Sequence, residues 1–131
     1  MPSAQIMMDG ATVEQLSSGG FCILVVTESP AGKGGVVSFA DPQFSTEMSV
    51  EIDSDERALL FFANIPMNVG TPIATLPAPG MLLDLTQNSD PQVSYDANDG
   101  WSWGGLPWGT EVNPGSEVGP LLAPSSGTRL A

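Results

Sequence analysis

The chain contains no histidine, and that absence removes every Ser-His or Cys-His nucleophile arrangement together with a zinc site of ordinary composition. Basic residues are nearly absent as well: Lys33, Arg57 and Arg129 stand against fifteen carboxylates, a formal charge of −12. Such a charge repels phosphate backbones and anionic headgroups alike, which argues against nucleic acid and bare membrane surfaces as partners. The acidic surface serves solubility alone, or it docks on a basic protein surface or collects cations. Cys22 is the single cysteine, so no internal disulfide forms. Its place in Phe21-Cys22-Ile23-Leu24-Val25-Val26 predicts a buried, inert thiol, with redox chemistry as the alternative. Nowhere do roughly 18 apolar residues follow one another. Met1-Pro2-Ser3-Ala4-Gln5 has neither a basic region nor an apolar stretch of signal length, so the expectation is a chain without signal peptide or transmembrane segment. A mature fragment, or a protein carried out of the cell inside a larger particle, has the same signature.

What is present is apolar matter cut into short pieces. Apolar residues make up 41% of the 131, too many for a disordered chain, while 15 Gly and 12 Pro argue against long helices. Gln5 to Met8 and Ala11 to Leu16 flank Asp9-Gly10, a dipeptide suited to a hairpin turn, although Thr12 to Leu16 also fits a helical turn. Phe21 to Thr27 is β-branched and apolar on both faces, as a central strand covered twice should be. Val36 to Phe39 is a short strand. Met48, Val50 and Ile52 alternate with Ser49, Glu51 and Asp53, the pattern of a half-buried strand. The acidic turn Asp53-Ser54-Asp55-Glu56 then leads into Ala58-Leu59-Leu60-Phe61-Phe62-Ala63, and the two segments are expected to pair as a hairpin. Pro72 to Leu76, Met81 to Leu85 and Gln92 to Tyr95 complete seven or eight short strands. The expected fold is all-β, a small antiparallel β-sandwich. From Ala97 the alternation fails, and 11 of the last 35 residues are Gly or Pro. The expected division is therefore a sandwich domain over 1–96 and an extended Gly/Pro/Trp-rich tail or docking arm over 97–131.

Several of these pieces belong together: Ser29-Pro30-Ala31-Gly32, Gly35-Val36-Val37-Ser38-Phe39, the acidic turn, Leu60-Phe61-Phe62-Ala63-Asn64-Ile65-Pro66 and Pro79-Gly80. In that order the stretch 21–80 resembles the carboxypeptidase regulatory-like (prealbumin-like) β-sandwich modules. Glu56 stands where those modules commonly carry a glycine in the acidic turn. The resemblance implies a sandwich and a scaffolding, adhesion or binding role without catalysis.

Candidate chemistry is sparse. Asp53, Asp55, Glu56, Asp96 and Asp99 are the carboxylates available for acid/base work, but they sit in polar turns where nothing predicts the desolvation that raises a pKa. Asp53, Asp55, Asp96 and Asp99 are also the candidate metal ligands, with Ca²⁺ the cation that clustered loop carboxylates suit. In Asp96-Ala97-Asn98-Asp99-Gly100 the spacing departs from a calcium loop, because Pro107 stands where a bidentate Glu is required; an Asx-type turn competes with that reading. Trp101-Ser102-Trp103-Gly104-Gly105-Leu106-Pro107-Trp108 is the most unusual segment. Indoles are frequent interface anchors, so Trp101, Trp103, Leu106 and Trp108 are the candidate partner- or ligand-binding residues. Three readings compete: the segment caps its own sandwich, docks on a partner subunit, or stacks against sugars. The leading expectation is a non-enzymatic structural protein, an accessory or decoration subunit of a larger particle such as a virus capsid or surface assembly. It would be oligomeric in that context and dock on protein subunits through its tail, at a virion or cell surface. The rival is a carbohydrate-binding or adhesion module that uses the Trp segment.

Overall fold

The computed structural model describes residues 2–28, 34–54, 56–64 and 67–122. Strand accounts for 46% of it and helix for 12%, so the fold is all-β. Among the described residues ten strands form two sheets. A six-stranded sheet has the order β10 (Gly109–Val112), β7 (Gly80–Asp84), β5 (Arg57–Ala63), β2 (Cys22–Glu28), β3 (Gly35–Asp41), β6 (Pro72–Ile73). A four-stranded sheet runs β4 (Glu47–Glu51), β1 (Ser3–Met7), β8 (Gln92–Asp96), β9 (Gly100–Ser102). All pairings are antiparallel except β1 with β8, where Ile6 lies opposite Val93 in parallel register.

The two central strands of the large sheet are the continuous apolar runs, and each is covered on both faces. Ile23, Val25, Ala58, Leu60 and Phe62 point toward the small sheet and meet Ala4, Ile6, Val50 and Val93 there. Leu24, Val26, Leu59 and Phe61 point the other way, onto a second cluster closed by Leu76, Val118 and Leu122. A run with period-2 alternation and apolar residues at both phases demands such double cover. The strand β3 carries one extra residue: Val25 lies opposite Phe39 and Val26 opposite Val37, and the intervening Ser38 donates its hydroxyl to the Val25 carbonyl at 3.3 Å.

The expected hairpin between Met48–Ile52 and Ala58–Ala63 does not form. β4 pairs with β1, whereas β5 lies between β2 and β7 in the other sheet. Burial explains the separation. β4 is apolar on one face and can occupy an edge, but β5 is buried along nearly its whole length and needs strands on both sides. The acidic turn thus carries the chain from one sheet to the other.

Asp9-Gly10 is likewise not a hairpin turn. It opens helix α1 (Gly10–Ser18), with the Asp9 carboxylate accepting from the Thr12 amide at 2.7 Å as the N-cap. Thr12 and Leu16 are the helix's buried residues, four apart, so the burial period is helical. The helix ends at Gly19-Gly20, where Gly20 takes φ of +73° and the Phe21 amide reaches back to the Leu16 carbonyl at 3.1 Å. Cys22, expected in the interior, is only half-buried because it is the first residue of β2, short of the doubly covered stretch.

The expected boundary after residue 96 is absent, for the first 26 residues of the anticipated tail are built into the domain. β9 returns on β8, β10 pairs with β7, and helix α2 (Val118–Leu122) lies on the outer face of the large sheet. Gly35 makes room for that helix: a Cβ there would stand 2.7 Å from Val118 Cγ1 and 3.0 Å from Leu122 Cδ1. Arg57 holds the far end, its guanidinium donating to the Leu121 carbonyl at 3.2 Å. The remainder of the anticipated tail, 123–131, lies outside the described residues. No helix among those described is long and apolar enough to cross a membrane.

Candidate functional site

The indoles face inward. Trp101 is 5% exposed; its ring stacks on Phe62 of β5 (centroids 5.3 Å, interplanar angle 16°) and leans on Tyr95 of β8 (4.8 Å). Its Nε1–H donates to the Pro79 carbonyl at 3.3 Å, satisfying the polar handle that a buried indole carries. Phe44 extends the cluster, 5.7 Å from Phe62. Trp108 is 8% exposed in the same core. Trp103 is half-buried, donates to the Leu106 carbonyl at 3.1 Å, and lies over Gly109, where a Cβ would come within 2.6 Å of the indole. Of the four candidates only Leu106, 48% exposed, stands clear of the surface. The segment therefore caps its own sandwich. Trp101 and Trp103 do not make a two-indole sugar platform, since the face of Trp101 is occupied by Phe62.

Above this cluster the strand ends leave an open cleft of about 460 Å³. Met7, Met8 and Asp9 form one wall, Ser94 to Asp96 the floor, and Asp99 to Ser102 the other wall; the accessible rim of Trp101 is part of it. Three carboxylates, Asp9, Asp96 and Asp99, face it without a basic residue in the lining. Met7 adds an exposed thioether. Asp9 is held below the ordinary carboxylate range by the Thr12 amide it caps. Tyr95 is pushed above the ordinary phenol range, first by burial and then by the charge of Asp96. A neutral phenol among carboxylates offers a surface that accepts hydrogen bonds and favours positive charge.

The acidic turn at Asp96 to Asp99 is an ordinary turn. Asp96 Oδ1 accepts from the amides of Asn98 at 2.7 Å and Asp99 at 3.1 Å, an Asx turn joining β8 to β9. The Ala97 amide, beside it, donates to the Thr12 hydroxyl of α1 at 3.2 Å, which fixes the turn to the helix. Asp53 is exposed beside Ser54, whose hydroxyl accepts from the Glu56 amide; Asp55 lies outside the described residues. Among the described residues no three side chains of ligand type come together as a metal would require.

A second acidic centre was not legible in the sequence. Asp84 lies opposite Arg57 in the β5–β7 register. Burial tends to raise its pKa, but hydrogen bonds from Gln87 (2.9 Å), the Thr86 hydroxyl (2.6 Å) and the Thr86 amide (3.1 Å), with the nearby Arg57, hold it low. Arg57 thus touches Asp84's field on one side and the end of α2 on the other, a structural brace. No protein-family model, curated protein or solved structure matches this chain.

Proposed function

We propose that the protein is a non-enzymatic structural subunit, an accessory or decoration component of a larger assembly such as a virus capsid or cell-surface particle, which docks on a basic surface of its protein partner. The observation that carries this reading is the distribution of charge. Every described carboxylate is exposed or half-buried, and Arg57, half-buried and engaged with α2, is the described residues' sole Lys or Arg. A surface of one sign at this density steers and selects partners of the other sign. Asp9 and Asp84 are held low, the opposite of what a general acid needs. The scaffolding role implied by the resemblance of residues 21–80 agrees with this reading. Docking through Trp101 or Trp108 is not part of it, because exposing either would open the core.

The test is co-expression with the products of the genes that flank its own, followed by sedimentation of the assemblies formed. The protein should travel with the particle at low salt and be released as ionic strength rises from about 0.05 to 0.5 M, over which the screening length falls several-fold. Recovery only as free protein with every flanking product would refute the reading, and so would attachment indifferent to salt.

A further inference from the structure

The small sheet ends on β4, and its ladder to β1 fixes which backbone groups remain free. The Met8 amide donates to the Thr46 carbonyl and the Ile52 amide to the Pro2 carbonyl, both at 2.9 Å, in phase with the pairs Ile6↔Met48 and Ala4↔Val50. In an antiparallel ladder the alternate residues point their polar groups the other way. Glu47, Ser49 and Glu51 therefore aim N–H and C=O groups at the open edge. Ser45 donates to the Glu47 carbonyl at 2.7 Å, and among the described residues nothing pairs with the backbone of Ser49 or Glu51 at that edge. Of the four edge strands, β4 is the longest with five residues; β10 has four, β9 three and β6 two.

We propose that β4 is the docking edge: an extended segment of the protein partner, alternating basic and apolar residues, adds to it as a fifth strand of the small sheet. This rests on the reading of the protein as a docking subunit and names the surface it uses. Directly opposed residues share a face, so side chains opposite Glu47, Ser49 and Glu51 meet two exposed carboxylates on the solvent side. Lysine or arginine suits those places. The alternate residues of the incoming strand turn to the face of Met48, next to a cleft of about 350 Å³ beside β4 that Asp41, Phe44, Glu47 and Met48 help to line. Phe44 and Met48 are half-buried and continuous with the inner core, so apolar side chains suit the second phase. A second copy of this chain is disfavoured in the symmetric register that would pair the full length of β4. Antiparallel self-pairing centred on Ser49 sets Glu47 against Glu51 twice, and like charges directly opposite are destabilising. The charges that guard the edge against its own kind select a basic strand.

The probe is a short synthetic peptide alternating lysine and valine, labelled for fluorescence anisotropy, with a glutamate–valine peptide as its counterpart. The full chain should bind the first and not the second, and bound peptide should slow hydrogen exchange at the Ser49 and Glu51 amides. Ser49→Pro removes an outward N–H and leaves the β1 ladder intact, since edge positions tolerate proline. It should weaken binding about tenfold or more with an unchanged far-UV spectrum. Should that variant fail to fold, Glu47→Lys with Glu51→Lys decides the matter by reversing the preference to the glutamate–valine peptide. Binding that ignores both variants, or that leaves the two amides exchanging at their free rate, overturns the proposal. Absence of binding overturns it as well. In either case particle co-sedimentation reports separately on the docking role, which fails only if that is lost too.

Discussion

Gly35 is the point at which the seating of α2 can be tested with a single methyl group. In Gly35→Ala the new Cβ would lie 2.5 Å from Val26 Cγ1 and 2.7 Å from Val118 Cγ1. Both obstacles are branches of short, β-branched side chains with one preferred rotamer, so neither can swing aside cheaply. Overpacking of this size costs about 1–3 kcal/mol. Against it stands the loss of glycine's freedom in the unfolded chain, which favours alanine by about 0.4–1 kcal/mol. The steric effect wins, and the net loss should be about 0.5–2 kcal/mol, read as a lower urea midpoint at unchanged slope by tryptophan fluorescence. Val118→Ala removes one of the two obstacles while leaving a cavity, so in a double-mutant cycle the pair should be coupled, costing less together than the sum of the singles. If Gly35→Ala instead stabilises the protein, or the two substitutions are additive, α2 does not rest on Gly35 and the second cluster is closed in another way.

Two further outcomes follow from the core and the brace. Phe62→Ala, which takes away the ring on which Trp101 stacks, should cost about 3–5 kcal/mol and alter the near-UV spectrum; a loss under about 1 kcal/mol would show that the aromatic cluster is not core. The Asp84 carboxyl is held below its ordinary 3.8 in the folded state, so the unfolded state binds its proton more readily. Its contribution to stability is complete above that ordinary value and disappears as pH falls through the lower folded one. Asp84→Asn should therefore flatten the acid limb of a melting-temperature profile, and an acid limb unchanged in the variant would assign the loss elsewhere.

The parts of the fold legible in the sequence are those set by local alternation. Phe21 to Thr27 and Ala58 to Ala63 are apolar at both phases, and they are the central strands; Met48, Val50 and Ile52 mark a single buried face, and β4 is an edge. Partner choice was not legible, because a β4–β5 hairpin and a crossing between sheets place the same residues inside. α1 was obscured by Asp9-Gly10, which satisfies a hairpin turn and a helix start equally until the Thr12 amide is seen to bond the carboxylate. β9 and β10 are hidden by their length: three and four residues, each opening on a glycine, give no window in which alternation can be read. Three indoles so close together need cover, yet whether that cover is internal depends on Phe62, 39 residues before Trp101. The cleft brings residues 7–9 to residues 94–102, a juxtaposition made by the parallel pairing of β1 with β8 and by the Ala97 amide on the Thr12 hydroxyl.

That parallel pairing also sets the order in which the molecule can be completed. One neighbour of β1 is β4 and the other is β8, with β8 more than 80 residues downstream. The apolar outer face of the large sheet likewise waits for Val118 and Leu122. A chain that extends past Phe61 but stops short of α2 leaves Leu24, Val26, Leu59 and Phe61 without the cover of Val118 and Leu122. Closing such distant contacts is slow, and the exposed strands are adhesive while it lasts. Truncation from the C-terminal side past Leu122 should therefore favour aggregation rather than give a merely shorter domain.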